Sequence, residues 1–154
     1  MEVQWESFKP CGKRVRTVVF VGTYEHSLDD KGRIVLPSSF RGRLADGGFL
    51  SKYDQCLALW TAEEFKGFVD RLMERMQRGE VNVNVVRSVS ANAIEVKPDA
   101  QGRISIPKTL RDFAGVGSNA LLTGVVNHIE IWAPERWQEA TAEGDGALAS
   151  LGMI

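Results

Sequence analysis

Two arginines stand out by their setting. Arg33 follows Gly32 and lies four residues after Asp29, and Arg103 follows Gly102 and lies four residues after Asp99. A guanidinium raised on a turn presents paired donors that match O6 and N7 of guanine in the major groove, or else the oxygens of a phosphate. Each Asp can pair with its Arg as a purely structural ion pair, and the same bond can hold the guanidinium ready for a base. Lys31, at the tip of the first turn, either neutralises a phosphate or stays a solvated cation. Its counterparts in the second copy are less basic, because Ala100-Gln101 stands where the first has Asp30-Lys31. The first copy is therefore expected to dominate contact. Arg41 and Arg43 lie beyond the following strand and suit either DNA or an acid on a neighbouring subunit. Arg111 repeats Arg41 but stands beside Asp112, which favours a structural role.

Other chemistry finds little footing. His26 and His128 are the only histidines, and neither sits in a nucleophile–base or metal-ligand pattern. Gly12 and Gly22 do not build a phosphate-binding loop. Glu25 and Glu95 occupy equivalent positions, which shared fold geometry explains better than acid–base catalysis. Cys11 and Cys56 are far apart and lack further Cys or His at ligand spacing, so neither a disulfide framework nor a zinc site is indicated. Cys56 reads as a small buried apolar residue. No enzyme, cofactor, metal or small-molecule substrate is expected. The apolar runs are far shorter than the roughly 20 residues of a membrane span, and residues 1–17 lack the apolar core of a secretory signal. Those features predict a cytoplasmic protein.

A net charge of −1 is poorly suited to a polyanion. Its distribution is uneven, however: residues 1–44 hold eight Lys/Arg against five Asp/Glu, and residues 45–154 hold eleven against fifteen. A local excess this small becomes a useful field only when copies stand side by side, so DNA binding here implies an oligomer.

Comparing the chain with itself shows why the arginine setting recurs. Residues 28–41 (LDDKGRIVLPSSFR) align without a gap onto 98–111 (PDAQGRISIPKTLR), with six of fourteen positions identical. After a two-residue shift, 50–65 aligns onto 122–137, placing Trp60 on Trp132 and Glu63 on Glu135. Two structurally equivalent halves follow. In the first, a short strand over Thr23 to Leu28 leads to a turn at Asp29 to Gly32, where Asp bonds the backbone and Gly takes positive φ. Arg33 to Pro37 alternates, with Ile34 and Leu36 on one face, until Pro37 ends the strand. A short helix through Phe40 and Leu44 comes next. Two strands around Tyr53-Asp54-Gln55 form a second hairpin. Thr61 and Glu64 then fit a capping box, opening a helix whose stripe of Phe65, Phe68, Val69, Leu72, Met73 and Met76 is a packing surface that Gly79 ends. Residues 81–94 suit a strand or a helix equally. The Gly, Ala and acidic residues of 143–151 predict a frayed tail.

Two copies of Asp-x-x-Gly-Arg-Ile-x-(Leu/Ile)-Pro-x-x-(Phe/Leu)-Arg, each followed by a hairpin ending in Trp, resemble the MraZ family of bacterial transcription regulators. The resemblance covers roughly Val19 to Trp137. It implies an α+β fold of two tandem AbrB-like halves, whose swapped hairpins interleave into one pseudo-symmetric small barrel with flanking helices. It also implies a first half over 19–80, a connecting helix over 81–93, a second half with a C-terminal helix over 94–142 and a flexible tail over 143–154. Family members assemble into closed rings, usually of eight or twelve copies. They bind direct repeats in the promoter of the cell-division and cell-wall operon, generally as repressors, which implies double-stranded DNA and self as partners and a nucleoid-associated place. The family's Asp-x-x-x-Arg binding hairpin falls on Asp29 to Arg33 and on Asp99 to Arg103. Where members usually begin Met-Phe-x-Gly, this chain has Val19-Phe20-Val21-Gly22, so 1–18 is expected to be an extension, disordered and dispensable for folding. An AbrB-like antitoxin, or an oligomeric interaction module with weak DNA binding, is the alternative. Salt separates the two: phosphate contacts weaken steeply as salt rises, whereas capture through the 65–76 stripe does not.

Overall fold

The computed structural model describes residues 19–152. The expectations for residues 1–18 and for Cys11 lie outside them. In chain order come β1 (Thr23–Ser27), β2 (Arg33–Val35), α1 (Ser38–Arg41) running into a 3-10 turn at Gly42–Leu44, β3 (Gly48–Tyr53) and β4 (Cys56–Trp60). Then follow α2 (Ala62–Gln77), α3 (Val83–Asn92), β5 (Ile94–Val96), β6 (Arg103–Ser105), α4 (Lys108–Ala114), β7 (Asn119–Gly124), β8 (Ile129–Trp132) and α5 (Pro134–Leu151). The fold is α+β. Six antiparallel strands form one sheet in the order β1-β7-β8-β4-β3-β5, and β2 pairs with β6 in a separate two-stranded ribbon.

The repeat explains this order. Exchanging the halves sends β1 to β5, β3 to β7, β4 to β8 and β2 to β6, so the strand order reads the same from either end. The pseudo-two-fold passes between β4 and β8, where Ala58 faces its equivalent Glu130, and through the ribbon, where Ile34 faces Ile104. Each half sends its first strand across: β1 pairs with β7, and β5 with β3. The two arms of the Asp29–Gly32 turn therefore part, since β1 joins the large sheet and β2 the ribbon.

The expected barrel does not close. The large sheet is open, with β1 and β5 as its edges. Its would-be staves β2 and β6 are three residues long and stop short of Pro37 and Pro107, which have no N–H to extend a ladder. They pair with each other, held further by Leu36 N–H to Gly102 O at 2.8 Å and Ile106 N–H to Gly32 O at 2.9 Å. Ile34, Leu36, Ile104 and Ile106 drop from the ribbon into a core completed by Phe40, Leu110, Leu57, Leu59, Ile129 and Ile131, all nearly or fully buried.

The helices follow their local signals. Thr61 Oγ1 accepts from Glu64 N–H at 3.2 Å and starts α2, while Gly79, at φ 78°, ends it with Glu80 N–H bonded to Arg75 O at 2.9 Å. Phe65 and Phe68 stack on Phe49 and Trp60, each at 4.7 Å between centroids, fastening α2 to the sheet. The stretch that suited strand or helix is helical from Val83 to Asn92, capped by Asn82 Oδ1 on Asn84 N–H at 2.7 Å and seated through the buried Val89. The frayed tail expected at 143–151 is instead the second half of α5, which runs unbroken from Pro134 to Leu151. Pro at the first turn and the alanines sustain it despite Gly144 and Gly146.

Candidate nucleic-acid interface

The ribbon sets the geometry of the two loops. Directly opposite residues of an antiparallel pair share a face, so Arg33, Ser105, Val35 and Arg103 lie on one side and Ile34 and Ile104 on the other. With the isoleucines in the core, both arginines stand on the outer face. A two-stranded ribbon is narrow enough to enter a major groove.

Each turn is built the same way. Asp29 Oδ1 accepts from Lys31 N–H and Arg33 N–H, both at 2.9 Å, and its Oδ2 accepts from Arg33 Nε at 2.7 Å. Asp99 Oδ1 accepts from Gln101 N–H at 3.0 Å and Arg103 N–H at 2.8 Å, and its Oδ2 from Arg103 Nε at 2.8 Å. These bonds, the backbone N–H of the arginine foremost, hold both carboxyls below the ordinary aspartate range. Gly32 and Gly102 sit at φ 76° and 79°, the left-handed geometry that closes each turn. The loops also touch: Arg103 Nη1 lies 3.9 Å from Asp29 Oδ2.

The remaining candidates divide. Lys31 is exposed at the tip, as is Gln101 in the second loop. Arg41 lies beneath the opposite loop, its Nε donating to Leu36 O at 2.9 Å while its side chain packs against Gly102. Arg111 mirrors it, donating to Ile106 O at 2.9 Å and packing against Gly32. Each half thus braces the other's turn with an arginine. Arg43 packs its guanidinium over the buried Phe20 ring, 5.7 Å from the centroid.

Sequence reasoning passed over a polar cluster within the large sheet. His128 Nε2 lies 2.8 Å from Glu130 Oε2, and Trp132 Nε1 donates to Glu130 Oε1 at 2.8 Å. His128 stacks on Trp60 at 4.5 Å, and Asn127 links its ring to Glu64 of α2. All three of His128, Glu130 and Trp132 are buried. The only signal available was Glu130 within an otherwise apolar strand. Burial beside Glu130 pushes the Cys56 thiol up, so it is an inert core group. Among the described residues no cluster of His, Cys, Asp or Glu could hold a metal ion, and no helix is long and apolar enough to cross a membrane. A groove of about 500 Å3 lined by Lys52, Tyr53, Phe68, Leu72, Val89 and Phe113 includes none of the loop residues.

A family model described as "MraZ protein, putative antitoxin-like" matches residues 19–83 and 89–147, nearly all of both halves. The chain belongs to the MraZ family. It is 37% identical over 134 residues to the transcriptional regulator MraZ of Roseiflexus sp., covering 86% of this chain and 93% of that one. The MraZ transcriptional regulator of Saccharopolyspora erythraea is 40% identical over 121 residues, covering 78% and 85%. That of Kocuria rhizophila is 35% identical over 132 residues, covering 85% and 92%. These relatives are named regulators of transcription. The matched region takes in both Asp-x-x-Gly-Arg turns and the whole ribbon.

Proposed function

We propose that this protein is a DNA-binding transcription regulator that reads duplex DNA with the β2–β6 ribbon. The observation that carries the reading is the pair of Asp-oriented arginines on the outer face of one ribbon, in a chain whose relatives are named transcriptional regulators. Holding Nε to a carboxylate removes rotamer freedom before binding and leaves the terminal nitrogens to meet a base or a phosphate. Arg33 is the principal base contact, Lys31 neutralises a phosphate, and Asp29 and Asp99 orient their arginines. Arg41 acts from below through Gly102, and Arg43 through the packing of Phe20.

Two or three cations per protomer give a weak grip. The protein therefore acts as a self-assembled ring of eight or twelve copies, presenting its ribbons to direct repeats ahead of the division and cell-wall operon and lowering its transcription on the nucleoid. The open sheet edges and the partly covered α2 leave surface for neighbours. The two halves are AbrB-like units fused in tandem, as their mutual strand exchange suggests.

The test is a mobility-shift assay on DNA upstream of the protein's own gene. Arg33→Ala should assemble as the wild type does and lose the shift, and wild-type binding should fall steeply as salt rises. Unchanged binding by Arg33→Ala would overturn the site, and salt-insensitive capture of a protein partner would favour the antitoxin-like alternative.

A further inference from the structure

The two turns share the same backbone bonds but differ in how their arginines are held. Arg33 is bonded at Nε to Asp29, and among the described residues nothing accepts from its two terminal nitrogens. Arg103 is hydrogen-bonded at two of its three nitrogens, and the third lies near a carboxylate. Its Nε donates to Asp99 Oδ2 at 2.8 Å, its Nη2 donates to Gln101 Oε1 at 2.9 Å, and its Nη1 faces Asp29 Oδ2 at 3.9 Å. The cause lies in one residue type. Gln101 offers an amide oxygen that can accept from a guanidinium, whereas its equivalent Lys31 carries only donors and repels one.

Resting on the DNA-binding reading above, we propose that Gln101 is a positioning residue that withdraws Arg103 from base reading. With Nε held by an aspartate, a donor fork matching guanine O6 and N7 must come from the two terminal nitrogens. Arg33 supplies it. On Arg103 the bond from Nη2 to Gln101 fixes one arm of that fork in orientation, so the side chain stays folded against its own loop and serves as a fixed positive charge beside the phosphates. The pseudo-two-fold of the ribbon is thereby broken where it meets the duplex. Two equal loops would read a palindrome about that axis, but one reading loop and one clamping loop read an element with direction. Position 101 sets which it is, and because Gln101 is exposed its replacement leaves the core untouched.

The experiment is selection from a randomised duplex pool by the full chain, comparing wild type, Arg33→Ala, Arg103→Ala, Gln101→Ala and Gln101→Lys. Wild type should enrich a non-palindromic motif with one dominant G·C position per protomer. Arg33→Ala should lose discrimination at that position tenfold or more. Arg103→Ala should weaken binding to all sequences alike and reduce the salt slope by about one phosphate contact. Gln101→Lys, which gives the second loop the tip residue of the first, should add a second specified position related to the first by the two-fold, and Gln101→Ala should do so in part. A palindromic wild-type motif, equal loss of discrimination in the two arginine variants, or no new position in Gln101→Lys would each overturn the proposal. Failure of the wild type to enrich any sequence would overturn the DNA-binding reading itself, and this inference with it.

Discussion

At the scale of single residues, the turns depend on what glycine leaves out. A Cβ on Gly32 would sit 3.1 Å from both Ile106 O and Arg111 Nε, at a φ of +76° that other residues rarely adopt. The arginine could yield but the ribbon carbonyl could not. Gly32→Ala should therefore cost about 1–3 kcal/mol, read as a lowered Tm by thermal denaturation, with loss of the Asp29 turn. The aspartates make a second prediction. Their carboxyls titrate lower when folded than the ordinary value of 3.8, so folding favours the charged form. Their contribution is full above that value and lost as pH falls through the lowered folded value. The Nε–H signals of Arg33 and Arg103 should therefore hold their positions from pH 7 to 5 and shift only below about 3.8; movement nearer pH 5 would contradict the assigned bonds. Asp and Gly announce such turns because their roles are local, and so the Asp29–Arg33 bond was legible in the sequence. The grip of Gln101 on Arg103 was not, because the sequence shows only that the second tip is less basic, not where an amide oxygen will point. Nor was the acceptor that Trp132 finds in Glu130, where its equivalent Trp60 uses Ser51.

At the scale of elements, the ribbon couples stability to presentation. Ile34 and Ile104 face each other beneath the two arginines, both essentially buried. Ile34→Ala should cost about 2–5 kcal/mol by chemical denaturation and weaken DNA binding even where the fold persists, because the strand that carries Arg33 loses its footing. Retained affinity alongside lost stability would show that the loops are held from elsewhere. Element identity was readable wherever the signal was local, as for the Thr61 cap of α2 and the prolines ending β2 and β6. Strand partnership was not, because β1 meets β7 across about a hundred residues, as Thr23 meets Thr123. The sequence pattern of a hairpin is the same whether its arms pair together or are exchanged. The length of α5 was missed because Gly144 and Gly146 lower helix propensity without forbidding a helix that is already nucleated and anchored by Arg136 to Gln55 O and Phe113 O.

At the scale of the whole molecule, the palindromic strand order means that neither half owns a complete sheet. Among the described residues β1 has its ladder with β7 alone, and β5 with β3 alone. The halves differ within a shared frame: Ala58 and Glu130 occupy equivalent places at the axis, and the second carries a buried carboxylate with His128 and Trp132 as its partners. The peptide link between α2 and α3 then keeps two complementary pieces near each other. Severed at Gly79-Glu80, each piece alone should be unfolded by circular dichroism. Mixed at micromolar concentration, the two should recover the sheet as a bimolecular complex whose midpoint rises with concentration. In this sense the chain is a heterodimer that happens to be translated as one message.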